Sequence, residues 1–302
     1  MSDQPRLKRV LSLMDATMIN VGGIIGSGIF MVPATVALYT ASSSLFFMVW
    51  IFGGIISLFG ALSVAELGAA MPKAGGQYVF LSEAYGPVWG YLYGWSAVAV
   101  INTASMAAVG VAFAEYLKFF YTISNLAVKE IAIFSIILLT IINIVDVKSG
   151  ARFQNIFTFA KLGAILGVIL LGLFLEGGST QNFSPLFTDR PSLSLIGPLG
   201  LAMVAVLWTF DGWIFVTYVA GEVKNPERNI PLSLIFCMVI VVSVYIALNT
   251  VLVYVLGFDQ MIGSKLVMAD AASEFIGGKG AAIVTIIILI SLIGANNGFI
   301  LT

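Results

Sequence analysis

No histidine occurs in the 302 residues. The commonest metal ligand and the usual near-neutral proton carrier are both missing, so buried charge chemistry falls to Lys, Arg, Asp and Glu. Charge is scarce as well: 10% of residues are Asp, Glu, Lys or Arg, against roughly 25% in soluble domains. The single cysteine, Cys237, excludes an internal disulfide, and within the apolar run 234–256 it reads as an inert buried thiol. A net charge of −1 with scattered basic residues gives no footprint for nucleic acid. The apolar runs carry no paired aspartates, metal-ligating cluster or Ser/His arrangement. Neither an enzyme nor a metal or cofactor site is expected.

What is present is apolar length. Hydrophobic residues make up 60% of the chain, and the mean hydropathy is +1.05. Long runs reach the ~20 residues that a membrane-crossing helix needs. The sequence therefore predicts an all-α polytopic membrane protein, a single domain over 1–302, embedded in a lipid bilayer. Eight spans can be drawn, at about 14–38, 45–65, 88–113, 131–145 with flanks, 153–175, 196–219, 231–256 and from 281 to the end. A short amphipathic helix is expected over Gln77–Tyr85, and longer outer loops over 176–195 and 257–280.

The segment MSDQPRLKRV leads into a long span rather than a cleavable signal, and reads as a cytoplasmic tail. With the N-terminus inside, Arg6, Lys8, Arg9, Lys73, Lys148, Arg152, Lys224 and Arg228 fall on the cytoplasmic side. Lys118, Lys129, Arg190, Lys265 and Lys279 fall outside, partly in the longer loops where charge counts less. Gly86, Gly90 and Gly94, and again Gly163 and Gly167, recur at four-residue spacing, which reads as close helix contact or as a sliding surface. The chain stops inside the last span at SLIGANNGFILT, so a fragment is expected.

Two spans are interrupted. GGIIGSGIF, residues 22–30, places four glycines near the middle of span one, each costing about 0.8–1.0 kcal/mol against alanine in a helix. Broken backbone at membrane depth survives only where it is buried in protein or lines a cavity. A half-helix starting near Ser27 and Gly28 would present free N–H groups to an anion, and the half-helix ending near 21–24 would present carbonyls to a cation. Span six repeats the device at TFDGW, residues 209–213, with a carboxylate costing about 2.5–3.5 kcal/mol at the bilayer centre. Breaks in spans one and six suit an inverted repeat of five-helix units, one over about 14–175 and an incomplete one over about 196–302.

The motifs IIGSGIF in span one, EL-(x)3-MPKAGGQYVFLSEAYGP after span two and FDGW-(x)7-GEVKNPERNIP in span six resemble amino acid permeases of the APC superfamily. The L-type amino acid transporter-like branch is the nearest in appearance. The resemblance implies a LeuT-type fold with broken first and sixth helices. It also implies a secondary transporter of amino acids in the plasma membrane, an exchanger or proton-coupled. The alternatives are a channel or membrane receptor, or a truncated product that does not transport.

By the same resemblance, the backbone at Gly26, Ser27 and Gly28 would hold the substrate carboxylate, with the Ser27 hydroxyl assisting. Carbonyls near Ile24 and around Phe210 would hold its ammonium. Lys161 lies nine residues after Arg152, about 13 Å along a helix. It either snorkels or, as in similar transporters, contacts the break in span one and span eight. There it would take the place of sodium, with Ser291 and Asn296 as candidate partners; proton coupling also stays open. Asp211 could recognise a cationic side chain, pair with Lys161 or cap free N–H groups at the break. Trp213 and Phe210 could wall or gate the pocket or simply fill space. Asp15 could pair with a basic loop residue, Glu222, Lys224 and Arg228 read as a solvated turn, and Asn102 and Asn143 as polar residues satisfied by neighbouring helices. Animal relatives with a heavy chain join it through a cysteine in the loop after span three. Here that loop, 118–129, has none, so no disulfide-linked partner is expected.

Overall fold

The computed structural model describes residues 8–40, 42–145, 150–174, 177–187 and 192–301. Apolar sequence with few internal charges becomes helix throughout, because in lipid a backbone must satisfy its own hydrogen bonds. The helices are α1 (Leu13–Ile24), α2 (Gly28–Thr40), α3 (Ser43–Ala70), α4 (Gln77–Tyr85), α5 (Pro87–Ser96), α6 (Asn102–Leu117), α7 (Asn125–Val145), α8 (Gly150–Phe174), α9 (Ser192–Thr209), α10 (Phe215–Tyr218), α11 (Pro226–Gly263) and α12 (Val267–Leu301). A π-helical turn, Ala97–Ile101, joins α5 to α6. Among the described residues there is no strand, only a parallel bridge between Leu11 and Val223.

Among the described residues, four helical stretches are long and apolar enough to cross a membrane: Ser43–Ala70, Pro87–Leu117, Pro226–Gly263 and Val267–Ile300. The pair Leu13–Ile24 and Gly28–Thr40 qualifies as a fifth when taken together, bent by 46° at its break. The protein is a multi-pass membrane protein. Its core gathers around α11, which runs against α1, α2, α3 and α8. Inside it, Trp50, Phe210 and Tyr245 form an aromatic cluster with ring centroids 5.1–6.0 Å apart.

Several expectations need correction. The region 257–280 is not a long loop: α11 continues to Gly263 through a kink at Gly257, and α12 begins at Val267 and kinks at Gly277. Charges and glycines there dilute the hydropathy, but Val267, Met268, Ala269, Ala271 and Ala272 are buried and hold a helix in place. The connection after α6 is shorter than 118–129 because α7 starts at Asn125. The two glycine series differ. A Cβ at Gly90 would collide with Ser82 and one at Gly94 would lie 3.3 Å from Tyr78, so α5 lies tightly on α4. Gly163 and Gly167 have nothing within 4 Å of a Cβ, so they make no close helix contact among the described residues.

On the N-terminal side, Asp15 forms a capping box with Ser12, its Oδ2 accepting from the Ser12 hydroxyl at 2.7 Å. The turn at 222–224 is also more than solvated. Val10 and Leu11 donate their amides to the Glu222 carbonyl, and Lys224 donates to that of Leu11, at 2.8–2.9 Å. Lys148 and the side chains of Asn143 and Arg152 lie outside the described residues.

Candidate functional site

The α1–α2 helix breaks at Ile25–Ser27 and the α9–α10 helix breaks at 210–214, and the two breaks touch. Gly212 has φ +119°, and a Cβ on it would sit 2.9 Å from the Gly23 carbonyl carbon and 3.0 Å from the Ile24 nitrogen. Only glycine combines that conformation with that approach. On the other side, a Cβ at Gly23 would run into the Phe215 ring. Asn20 crosses the same gap, its Oδ1 accepting from the Val216 amide at 2.9 Å in the first turn of α10.

Breaking a helix leaves carbonyls without partners. Here two side chains supply donors. The Tyr245 hydroxyl lies between the Ile24 carbonyl at 3.1 Å and the Thr209 carbonyl at 3.2 Å, the last residues of α1 and α9. Lys161 Nζ donates to the carbonyls of Gly22, at 3.3 Å, and Ile25, at 3.1 Å. Its side chain is 2% exposed, so it does not snorkel. At the opposite polarity, the amides of Ser27, Gly28 and Ile29 open α2 with no acceptor among the described residues. The Phe30 carbonyl one turn on accepts from the Tyr116 hydroxyl at 2.8 Å.

A small cavity of about 30 Å³ adjoins these free amides, with walls that include Ile24, Gly26, Ser27, Gly28, Thr209 and Asp211. That is space for roughly one water-sized group. Ser105 and Phe299 contribute from α6 and α12. Free amides on one side and helix-end carbonyls on the other can hold an anionic and a cationic group close together. Gly26 has room: a Cβ there would meet only Ala295 Cβ and the Ile24 carbonyl, each at 3.9 Å. Gly28 has little, with Thr209 atoms at 3.0 Å.

The remaining sequence-derived candidates separate. The Phe210 side chain is fully buried against Trp50 and Tyr245 and does not line the cavity. Trp213 lines a neighbouring cleft together with Asp211 and Trp208, its ring over Gly60. Asp211 borders both spaces. Its Oδ1 accepts from the amide of the next residue, Gly212, at 2.9 Å, whereas a helix cap serves the amides two or three residues on. It forms no ion pair with Lys161; the ion pairs among the described residues are Lys73–Glu83 and Lys118–Glu115. Ser291 lines a cavity with Lys161, but among the described residues its Oγ has no hydrogen-bond partner, nor does Asn296 Oδ1. The described residues hold no group of three or more acidic or cysteine side chains able to bind a metal.

Sequence reading missed Tyr245 and Asn20, and it placed Thr209 in the span-six break without a role. Asn20 carried a signal, a lone amide two residues before the glycine cluster. Tyr245 carried none, since an aromatic in an apolar run ordinarily reads as packing.

The family profile described as "Amino acid permease" matches residues 11–302. The serine/threonine exchanger SteT of Bacillus subtilis (strain 168) is 32% identical over 297 residues, covering 98% of this chain and 66% of the exchanger. The b(0,+)-type amino acid transporter 1 of Homo sapiens is 35% identical over 309 residues, covering 98% of this chain and 62% of the transporter. The cystine/glutamate transporter of Homo sapiens is 35% identical over 301 residues, covering 98% and 60%. The chain thus spans under two thirds of the length of these relatives.

Proposed function

We propose that this chain, which belongs to the amino acid permease family, works as a secondary transporter of amino acids by alternating access around its two broken helices. The observation that carries this reading is the pairing of opposite helix ends at one place. Free amides of Ser27, Gly28 and Ile29 suit a carboxylate, and the carbonyl ends of α1 and α9 suit an ammonium. A zwitterionic amino acid needs both at once. The cavity is small in this structure, so loading a substrate requires the breaks to part.

In this reading Gly26, Ser27 and Gly28 seat the carboxylate, and the carbonyls at Ile24 and the span-six break seat the ammonium. Asp211 faces the side chain while its Oδ1 holds the Gly212 amide, and Trp213 walls the outer cleft. Lys161 occupies the carbonyl end of α1 where a sodium ion would otherwise bind, with Ser291 as its neighbour on α12. Transport would then be sodium-independent, by exchange or with proton coupling. The two breaks would hold equivalent places in inverted repeats over about 14–175 and 196–302. The protein would sit in the plasma membrane with a cytoplasmic N-terminus. No disulfide-linked heavy chain is expected, because residues 118–124 lack cysteine and Cys237 is buried in α11.

Counterflow in liposomes tests the proposal. Purified protein preloaded with unlabelled amino acids should accumulate labelled ones, equally with and without sodium. No uptake of any amino acid would overturn transport, and strict sodium dependence would overturn the role given to Lys161. A response to an imposed pH gradient separates proton coupling from exchange.

A further inference from the structure

A larger cavity than the one at the breaks lies elsewhere. It is a groove of about 700 Å³ between α8 and α12, open on one side. Its walls are almost wholly aliphatic, with Gly163 and Gly167 on α8 facing residues such as Ile283 on α12. Glycines at four-residue spacing ordinarily admit a neighbouring helix. Here both face open space, with nothing within 4 Å of a Cβ.

Three polar groups interrupt this surface. Lys161 and Ser291 lie at its buried end, each 2% exposed, and Lys279 lies at the exposed end. No carboxylate lines the groove. Lys161 has three N–H donors, and two go to the Gly22 and Ile25 carbonyls. The Ser291 hydroxyl has no partner among the described residues. A buried cation without a counter-charge beside an unsatisfied hydroxyl is unfavourable, and an anionic group arriving there would keep the lysine charged and give the hydroxyl a partner. Aliphatic walls leading outward from that point suit a hydrocarbon chain.

We propose that the groove between α8 and α12 binds a long-chain fatty acid. Its carboxylate sits on the free N–H of Lys161 and the Ser291 hydroxyl, and its chain runs past Gly167 and Gly163. The occupant reaches the site sideways from the bilayer, away from the small cavity at the breaks. By holding Lys161 from behind, it stiffens the carbonyl end of α1.

Palmitate tests this directly, with no transport assay. Purified protein in nanodiscs of neutral phosphatidylcholine is titrated with radiolabelled palmitate, empty nanodiscs serving as the partition control. Saturable binding above the control is expected. The Gly167→Leu variant, whose added side chain has open space, should bind at least tenfold more weakly while unfolding at the same temperature as wild type. Ser291→Ala should weaken binding several-fold, and hexadecanol, which lacks the charge, should compete at least tenfold less well than palmitate. Binding no greater than in empty discs overturns the proposal. So does equal binding by Gly167→Leu, or equal competition by hexadecanol. If palmitate fails to bind but Gly167→Leu changes the oligomeric state, the groove belongs to a helix of another copy and the proposal again falls.

Discussion

Gly212 and Gly23 meet backbone to backbone, so closely that a Cβ on Gly212 would stand 2.9 Å from the Gly23 carbonyl carbon. Two interruptions that lie far apart in sequence thereby become one site, with main chain packed on main chain and the Asn20 and Tyr245 side chains bridging the two.

Replacing Gly212 with alanine should therefore damage the fold as well as the function. The φ of +119° and the lost approach together cost about 1–3 kcal/mol of strain or more. Thermal unfolding of the detergent-solubilised protein should shift down clearly; an unchanged transition would mean the two breaks separate freely.

Gly26 and Gly28 should behave differently although they are two residues apart. Gly26→Ala meets only contacts at 3.9 Å and should leave unfolding unaltered while weakening amino acid binding. Gly28→Ala presses on Thr209 at 3.0 Å, and should cost about 1–3 kcal/mol as overpacking does. Scintillation proximity binding read beside a thermal melt separates the two; full substrate binding by Gly26→Ala would count against the carboxylate seat.

Lys161→Met keeps the side-chain length and removes the donors. The Gly22 and Ile25 carbonyls then lose a partner, at about 1–3 kcal/mol for each group left unpaired. Exchange in liposomes should fall below a tenth of wild type. Activity close to wild type would return Lys161 to a packing role.

Tyr245→Phe retains the ring contacts with Trp50 and Phe210 and deletes the hydroxyl between the Ile24 and Thr209 carbonyls. A loss of about 1–3 kcal/mol is expected from the Thr209 carbonyl left unpaired, the Ile24 carbonyl keeping the Gly26 amide. Hydrogen exchange should rise at both breaks together. A rise at one break alone would show that the hydroxyl serves only that helix.

Much of this was legible in the chain. Glycine and aspartate inside long apolar runs are costly, so GGIIGSGIF and TFDGW announced broken helices and their polarity. Lys161 announced itself as a charge too deep for water. Other features were hidden because they depend on which helix lies beside which. Four-residue glycine spacing looked alike in two places, yet Gly90 and Gly94 are covered by α4 while Gly163 and Gly167 face a groove. Asp211 and Lys161 had matching charges, but backbone groups nearer to each claimed them first. The helices within 257–280 were masked by charge and glycine until tertiary burial of Val267 and its neighbours held them.

Composition and hydropathy alone settled that this is a helical membrane protein, because a bilayer leaves the backbone no other economical arrangement. The same sequence marked the breaks in spans one and six, because a helix interior penalises clustered glycine and aspartate-glycine. Tertiary structure alone decided that the breaks touch at Gly212 and Gly23, that one tyrosine hydroxyl lies between the ends of two helices, and which carbonyls of the first the lysine takes. Those outcomes are distances of about 3 Å between residues remote in the chain, and no local preference encodes them.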